Sequence, residues 1–117
     1  MLEIENHEGV TCARARVREK SLVYVFLTDG MLVDTGSPNL SASFIPFFQT
    51  ADMEQVVLTH SHEDHVGNAA WIQKHLHLPL FIHPKGVAQC TGPADYPLYR
   101  QQAWGIREPF QPQELSE

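Results

Sequence analysis

Thr59-His60-Ser61-His62-Glu63-Asp64-His65 is the stretch whose reading decides the fold of this chain. It follows the apolar run Val56-Val57-Leu58 and precedes a helix-like stretch from Val66 to His77, so it sits at a strand-to-helix turn. Side chains alternate along extended chain, so His60 and His62 leave the sheet pointing the same way. Both can then reach one ion at the roughly 2.0–2.1 Å of a zinc–imidazole bond. Asp64 and His65, on the turn into the helix, offer a carboxylate oxygen and a further nitrogen to the same ion or to a neighbour. Singly these are ordinary turn residues, with Asp64 a helix cap. Four potential ligands in six positions after a buried strand point instead to a metal site, and mixed imidazole and carboxylate donors suit Zn, and also Fe or Mn.

Working outward, Val66, Ala69, Ala70, Trp71, Ile72 and Leu76 give the following helix an apolar stripe, with Gln73, Lys74 and His75 outside it. Leu78-Pro79 ends that helix, and Leu80-Phe81-Ile82 forms a short strand closed by His83-Pro84. Upstream, Val10 to Val17 alternates small apolar with basic residues, as a half-buried or edge strand does. Its Arg14, Arg16, Arg18 and Lys20 read as a wet strand face. Ser21 to Thr28 is β-branched and aromatic with little polar alternation, which marks a central strand. Asp29-Gly30 supplies a turn, and Met31-Leu32-Val33 returns as far as Asp34-Thr35-Gly36. Pro38 to Gln49 repeats apolar residues at helical spacing with Ser37 to cap it, and Pro46 is expected to kink or split it. Lys85 to Cys90 reads as a short helix, and residues 91–117 as loop and tail, with one helical turn around Leu98 to Ala103. Strands alternating with helices predict an α/β layered fold.

A chain of 117 residues is one domain or part of one. Its 14 acidic against 8 basic residues, for a net charge of -6, argue against a nucleic-acid binder, which draws on clustered Lys and Arg. No stretch approaches the roughly 20 apolar residues of a membrane span. Cys12 and Cys90 show no CxxC spacing and fit a reducing cytosol, and the acidic start with Glu3, Glu5 and Glu8 lacks the apolar core of a signal peptide, so a cytoplasmic location is expected. His7 reads as part of a frayed terminus, His75 and His77 as the polar end of a helix, and His83 as a surface or packing residue in preference to one that faces the site. Tyr96, Tyr99, Trp104 and Phe110 either line a pocket or pack their loop onto the body.

Thr59 to Asn68 resembles the THxHxDHxG motif of the metallo-β-lactamase-fold hydrolases, and Met31-Leu32-Val33-Asp34-Thr35-Gly36 is similar to the strand-end DTG that accompanies it. The resemblance implies the N-terminal αβ half of an αβ/βα sandwich, a mixed β-sheet with helices on one face. It implies that His60 and His62 hold a first metal, usually zinc, that Asp64 and His65 hold a second, and that Asp34 orients groups around them by hydrogen bonds. Asp64 would also accept or relay the proton of the attacking water. Paired ions of this kind polarise a carbonyl and bring the pKa of bound water near 7, giving a positioned hydroxide.

The second half of that fold, with its further His and Asp ligands, has no counterpart here, since no histidine follows His83. One half alone would expose a large apolar sheet face, so the chain is expected to form a homodimer, swap elements, or continue into a C-terminal half. The leading expectation is a zinc-dependent hydrolase of small esters, thioesters, lactones or amides. An iron-dependent sulfur oxygenase of the same fold, and a non-catalytic half-domain that binds a metal or a partner, are the competing ones.

Overall fold

In the computed structural model, residues 2–17, 21–91 and 107–115 are described, apart from the side chains of Val17, Ser21, Glu63 and Asp64. Arg18, Lys20, Tyr96, Tyr99, Trp104 and the helical turn expected at Leu98 to Ala103 lie outside the described residues.

Two of the strand connections are each made by a pair of residues in left-handed conformation: Glu8-Gly9, with φ of 50° and 86°, and Asp29-Gly30, with φ of 48° and 79°. Such a pair of positive φ values is the two-residue hairpin turn that matches strand twist, and Asp-Gly supplies it at little steric cost. The first turn joins β1 (Glu3–His7) to β2 (Val10–Val17), and the second joins β3 (Ser21–Thr28) to β4 (Met31–Val33). The strands β5 (Gln55–Leu58), β6 (Leu80–Ile82) and β7 (Gln113–Glu114) follow, and the seven lie in the sheet in sequence order. Pairing is antiparallel from β1 to β4 and parallel from β4 to β7. This mixed sheet with helices is the α/β half-domain that the sequence predicted.

Alternation along the strands sorts the side chains onto two faces. Ala13, Ala15, Val23, Val25, Leu32, Val56, Leu58, Leu80 and Ile82 are buried in one cluster with Phe44, Phe48, Val66, Ala69 and Ile72 of the helices. Burying each of the large side chains contributes about 1.5–3 kcal/mol. The α-helices among the described residues are α1 (Ser41–Thr50), α2 (Glu63–Val66), α3 (Ala69–Leu76) and α4 (Val87–Thr91). On the opposite face Tyr24 and Phe26 remain 40% and 38% exposed, and the register carries a row of Phe26, Val33, Val57 and Phe81 across four strands. This open face also holds a shallow depression lined by Met31, Gln55, Val57, Phe81 and Leu115.

Four local expectations change. β1 takes the place of a frayed terminus: all five of its residues are exposed, so no buried alternation betrays it, and Arg14 reaches Glu3 and Glu5 at 3.4 and 3.3 Å across the hairpin. The His7 hydrogen bond and the Arg14 charge hold the Glu5 carboxyl below its usual range. Pro46 does not split α1. The discontinuity falls earlier, where a 3-10 turn at Pro38–Leu40 gives way to Ser41, and both Pro46 and Ala42, whose carbonyl loses its helical partner, are exposed to water. The helix expected from Val66 to His77 is two, divided at Gly67-Asn68. Finally, Gln113–Glu114 adds β7 to the parallel edge, with Leu115 N donating to Ile82 O at 2.8 Å. The Gln73 side-chain amide holds that segment, donating to Gln111 O at 2.7 Å and accepting from Gln111 N at 2.9 Å.

The two thiols occupy contrasting positions. Cys90 is fully buried, and burial pushes its pKa up, whereas Cys12 is half-buried on the open face beside Phe26. Iodoacetamide labelling of the folded chain, read by mass spectrometry, is expected to modify Cys12 well before Cys90. Equal rates would show that the core around Cys90 opens readily.

Candidate metal centre

β4 and β5 run parallel and end side by side, with Asp34 N donating to Val57 O at 2.9 Å. The residues that leave the two strand ends therefore meet. Asp34 has a left-handed φ of 64°, uncommon outside glycine though tolerated best by Asp and Asn. This turn aims its buried carboxylate back at the β5 end. Thr59 N donates to Oδ1 at 2.8 Å, Thr59 Oγ1 donates to Oδ2 at 2.7 Å, and His65 Nδ1 lies 2.8 Å from Oδ2. A carboxylate is acceptor-only, so the last contact places the ring proton of His65 on Nδ1 and makes Nε2 the nitrogen whose lone pair can ligate a cation. A buried carboxylate fixing the tautomer and orientation of an imidazole is the arrangement that metal-binding histidines use.

The other two histidines join it. The His60 ring lies 4.9 Å from that of His65 and 5.7 Å from that of His62, centroid to centroid, and stacks on His62 at an interplanar angle of 17°. Both His60 and His62 are exposed, while His65 is half-buried. His62 and not Asp64 stands at the N-cap of α2, with His65 N and Val66 N donating to its carbonyl. Asp64 is the second residue of α2, and its side chain lies outside the described part. Three clustered imidazoles are donors of the right chemistry for a borderline divalent cation such as zinc. Among the described residues, however, no three His, Cys, Asp or Glu side chains stand as a closed cage around an ion. The described residues form a cluster of donors and no more than that.

Neighbouring segments brace this cluster. Ser61, between His60 and His62, donates to the side chain of Gln89 in α4, and the buried Arg107 donates to the Gln89 carbonyl. Gly67 is where α2 presses onto the loop after β4: a Cβ there would lie 2.5 Å from Gly36 O, and Gly67 N donates to that same oxygen at 2.9 Å. The sequence marks neither Thr59 nor Gln89 as a site residue. Thr59 is part of the motif itself, whereas Gln89 carries no local signal. The remaining histidines stand apart: His83 accepts from Lys85 N and caps a 3-10 turn, His75 stacks on Trp71, and His77 is the exposed left-handed end of α3.

A family model described as the metallo-beta-lactamase superfamily matches residues 16–116. Two proteins of Bacillus subtilis (strain 168), the probable metallo-hydrolases YflN and YybB, are each 31% identical to this chain, over 57% and 62% of its length. The matched part spans 27% and 34% of those relatives, so it covers no more than about a third of either. Among solved structures, a metallo-β-lactamase of Cronobacter sakazakii with a HARLDQ motif superposes on 91% of this chain and 44% of its own, with a TM-score of 0.63 at 14% identity. A flavoprotein of Thermotoga maritima superposes with a TM-score of 0.64 at 15% identity, covering 79% of this chain and 30% of its own. At such identities the likeness is one of fold.

The three hydrogen bonds that converge on Asp34 set an expected outcome. Asp34→Ala should destabilise the chain by about 1.5–3 kcal/mol, the range for hydrogen bonds to a charged group, whereas Asp52→Ala at an exposed position should stay within about 0.5 kcal/mol. Urea unfolding of the two variants measures the difference.

Proposed function

This chain belongs to the metallo-β-lactamase superfamily, and on that premise we propose that it supplies one metal-binding wall of a zinc-dependent hydrolase. The observation that carries the reading is the Asp34–His65 contact at 2.8 Å beside the His60 and His62 rings. It leaves Nε2 as the nitrogen of His65 available for ligation and holds the ring in place through Asp34. In this reading His60 and His62 would ligate one ion through their imidazoles, and His65 through Nε2, together with Asp64, would ligate a second. Zinc held by these residues would supply Lewis acidity toward a substrate carbonyl and toward water. The Asp64 carboxylate accepts the proton that water gives up, a role that needs it within about 3 Å of that water. Asp34 and Thr59 keep the His65 ring from rotating as charge builds up.

The acidic balance of the chain favours small esters, thioesters, lactones or amides over nucleic acid as substrates. The remaining ligands come from a second wall, packed on the open face of Tyr24, Phe26, Val57 and Phe81 and belonging either to a continuation of the chain or to a second copy. Fold alone does not decide the reaction, as the flavoprotein among the structural neighbours illustrates.

Metal analysis and zinc titration of the purified chain provide the test. We expect zinc to bind, and replacement of both His60 and His62 by Ala to lower the affinity by more than the 10–100-fold that loss of an outer hydrogen-bond partner typically brings. In the protein that carries both walls, the same double variant should reduce hydrolysis of an aryl ester or lactone panel to background. Undiminished hydrolysis would overturn the assignment, and iron in stoichiometric amount would replace the hydrolase reading with an oxygenase one.

A further inference from the structure

Asn68 stands at the N-cap of α3, where an Asn side chain ordinarily accepts a hydrogen bond from its own helix. Here it makes no such bond. Its side chain, on a residue only 2% exposed, instead donates through Nδ2 to Thr35 O at 2.7 Å and to Ser37 O at 3.2 Å, and Oδ1 lies within hydrogen-bonding reach of Ser41 Oγ. Its backbone N donates to Thr35 Oγ1 at 3.0 Å. Thr35 in turn faces the site: its N and its Oγ1 both donate to the carbonyl of His65, at 2.7 and 2.9 Å. The Thr35 hydroxyl thus accepts from Asn68 and donates to His65, with both roles filled.

The consequence is geometric. Thr35 is the residue after Asp34, and it grips the backbone of the residue whose ring Asp34 orients. Asn68 lies three residues beyond His65 and grips the backbone of Thr35 and Ser37. The two segments that carry the Asp34–His65 pair are therefore held by side-chain and backbone bonds that touch neither member's side chain. Thr35, Ser37 and Asn68 are all buried, so each broken bond leaves an unsatisfied partner and the set holds or fails together.

We infer that Thr35 and Asn68 form a clamp that positions the His65 ring against Asp34, and through that ring set the affinity of the imidazole wall for a divalent cation. They are positioning residues, remote from any substrate. The inference rests on the metal-binding reading above only for its second part.

The test compares Thr35→Ser, Thr35→Val and Asn68→Ala with the unaltered chain. Three readouts are taken: the thermal midpoint, the ring nitrogen shifts of His65 by NMR without metal, and zinc affinity by competition with a chelating dye. Thr35→Ser retains the hydroxyl and should match the unaltered chain in ring signature and zinc affinity, with a thermal midpoint lowered only by the loss of a buried methyl. Thr35→Val keeps the shape but removes the hydroxyl, and it should shift the His65 ring signature and weaken zinc binding by roughly 10–100-fold while remaining folded. Asn68→Ala should do the same. If Asn68→Ala does not fold, Thr35→Val decides alone. Folded Thr35→Val with lower thermal stability but an unaltered ring signature and affinity would overturn the clamp. If the unaltered chain binds no zinc, the proposed function falls, and the metal-free ring signature alone judges the clamp.

Discussion

The carboxylate of Asp34 is the constraint on which the rest of the structure depends. Both of its oxygens accept hydrogen bonds where the parallel strands β4 and β5 run out, from the Thr59 backbone and hydroxyl and from the His65 ring. Were the strands out of register by one residue, every core side chain would change face, and Asp34 would point away from Thr59. The pairing Val33↔Val57 and the pairing of Asp34 with Thr59 therefore specify the same alignment twice, once by burial and once by polarity. A left-handed backbone at Asp34 is tolerable because three donors fix its outcome.

From that anchor the layers follow. The loop after β4 must pass beneath the end of α2 with no room for a side chain at Gly67, so a close backbone approach joins the strand side of the site to the helix side. α1 contributes Phe44 and Phe48 to the core, and α3 contributes Ala69 and Ile72. The site is thus a rim built on packed elements, with His60 and His62 on the short uncovered connection between β5 and α2. The exposed imidazoles thus stand on rigid support.

Much of this was legible in the residues. β2 to β6 could be read from alternation, Asp-Gly turn chemistry and short apolar runs, and the His60 to His65 cluster announced itself by density of donors. The parts that escaped share a physical cause. β1 buries nothing, and β7 has only two residues, so neither carries a periodic signal. Pro46 breaks the helical pattern in sequence, yet it lies on an exposed helix side, where the carbonyl it leaves without a helical partner is open to solvent. Asn68 looks like a cap because its type and place are those of a cap. Only its neighbours in space, thirty-odd residues away along the chain, reveal that it faces the loop after β4. Long-range polar pairing of this kind leaves no trace in a local window.

The order of the sheet carries one more consequence. Because β1 to β7 lie side by side in the sequence in which they are encoded, no strand has to be threaded between two already paired. As the polypeptide emerges from the ribosome, each strand can be laid on the edge formed by the one before it, beginning with two tight hairpins whose closure is local and fast. His60, His62 and His65 are synthesised only after β4 and Asp34 are available to receive them. The imidazole cluster is in this sense assembled against a finished template, at the growing edge of the sheet.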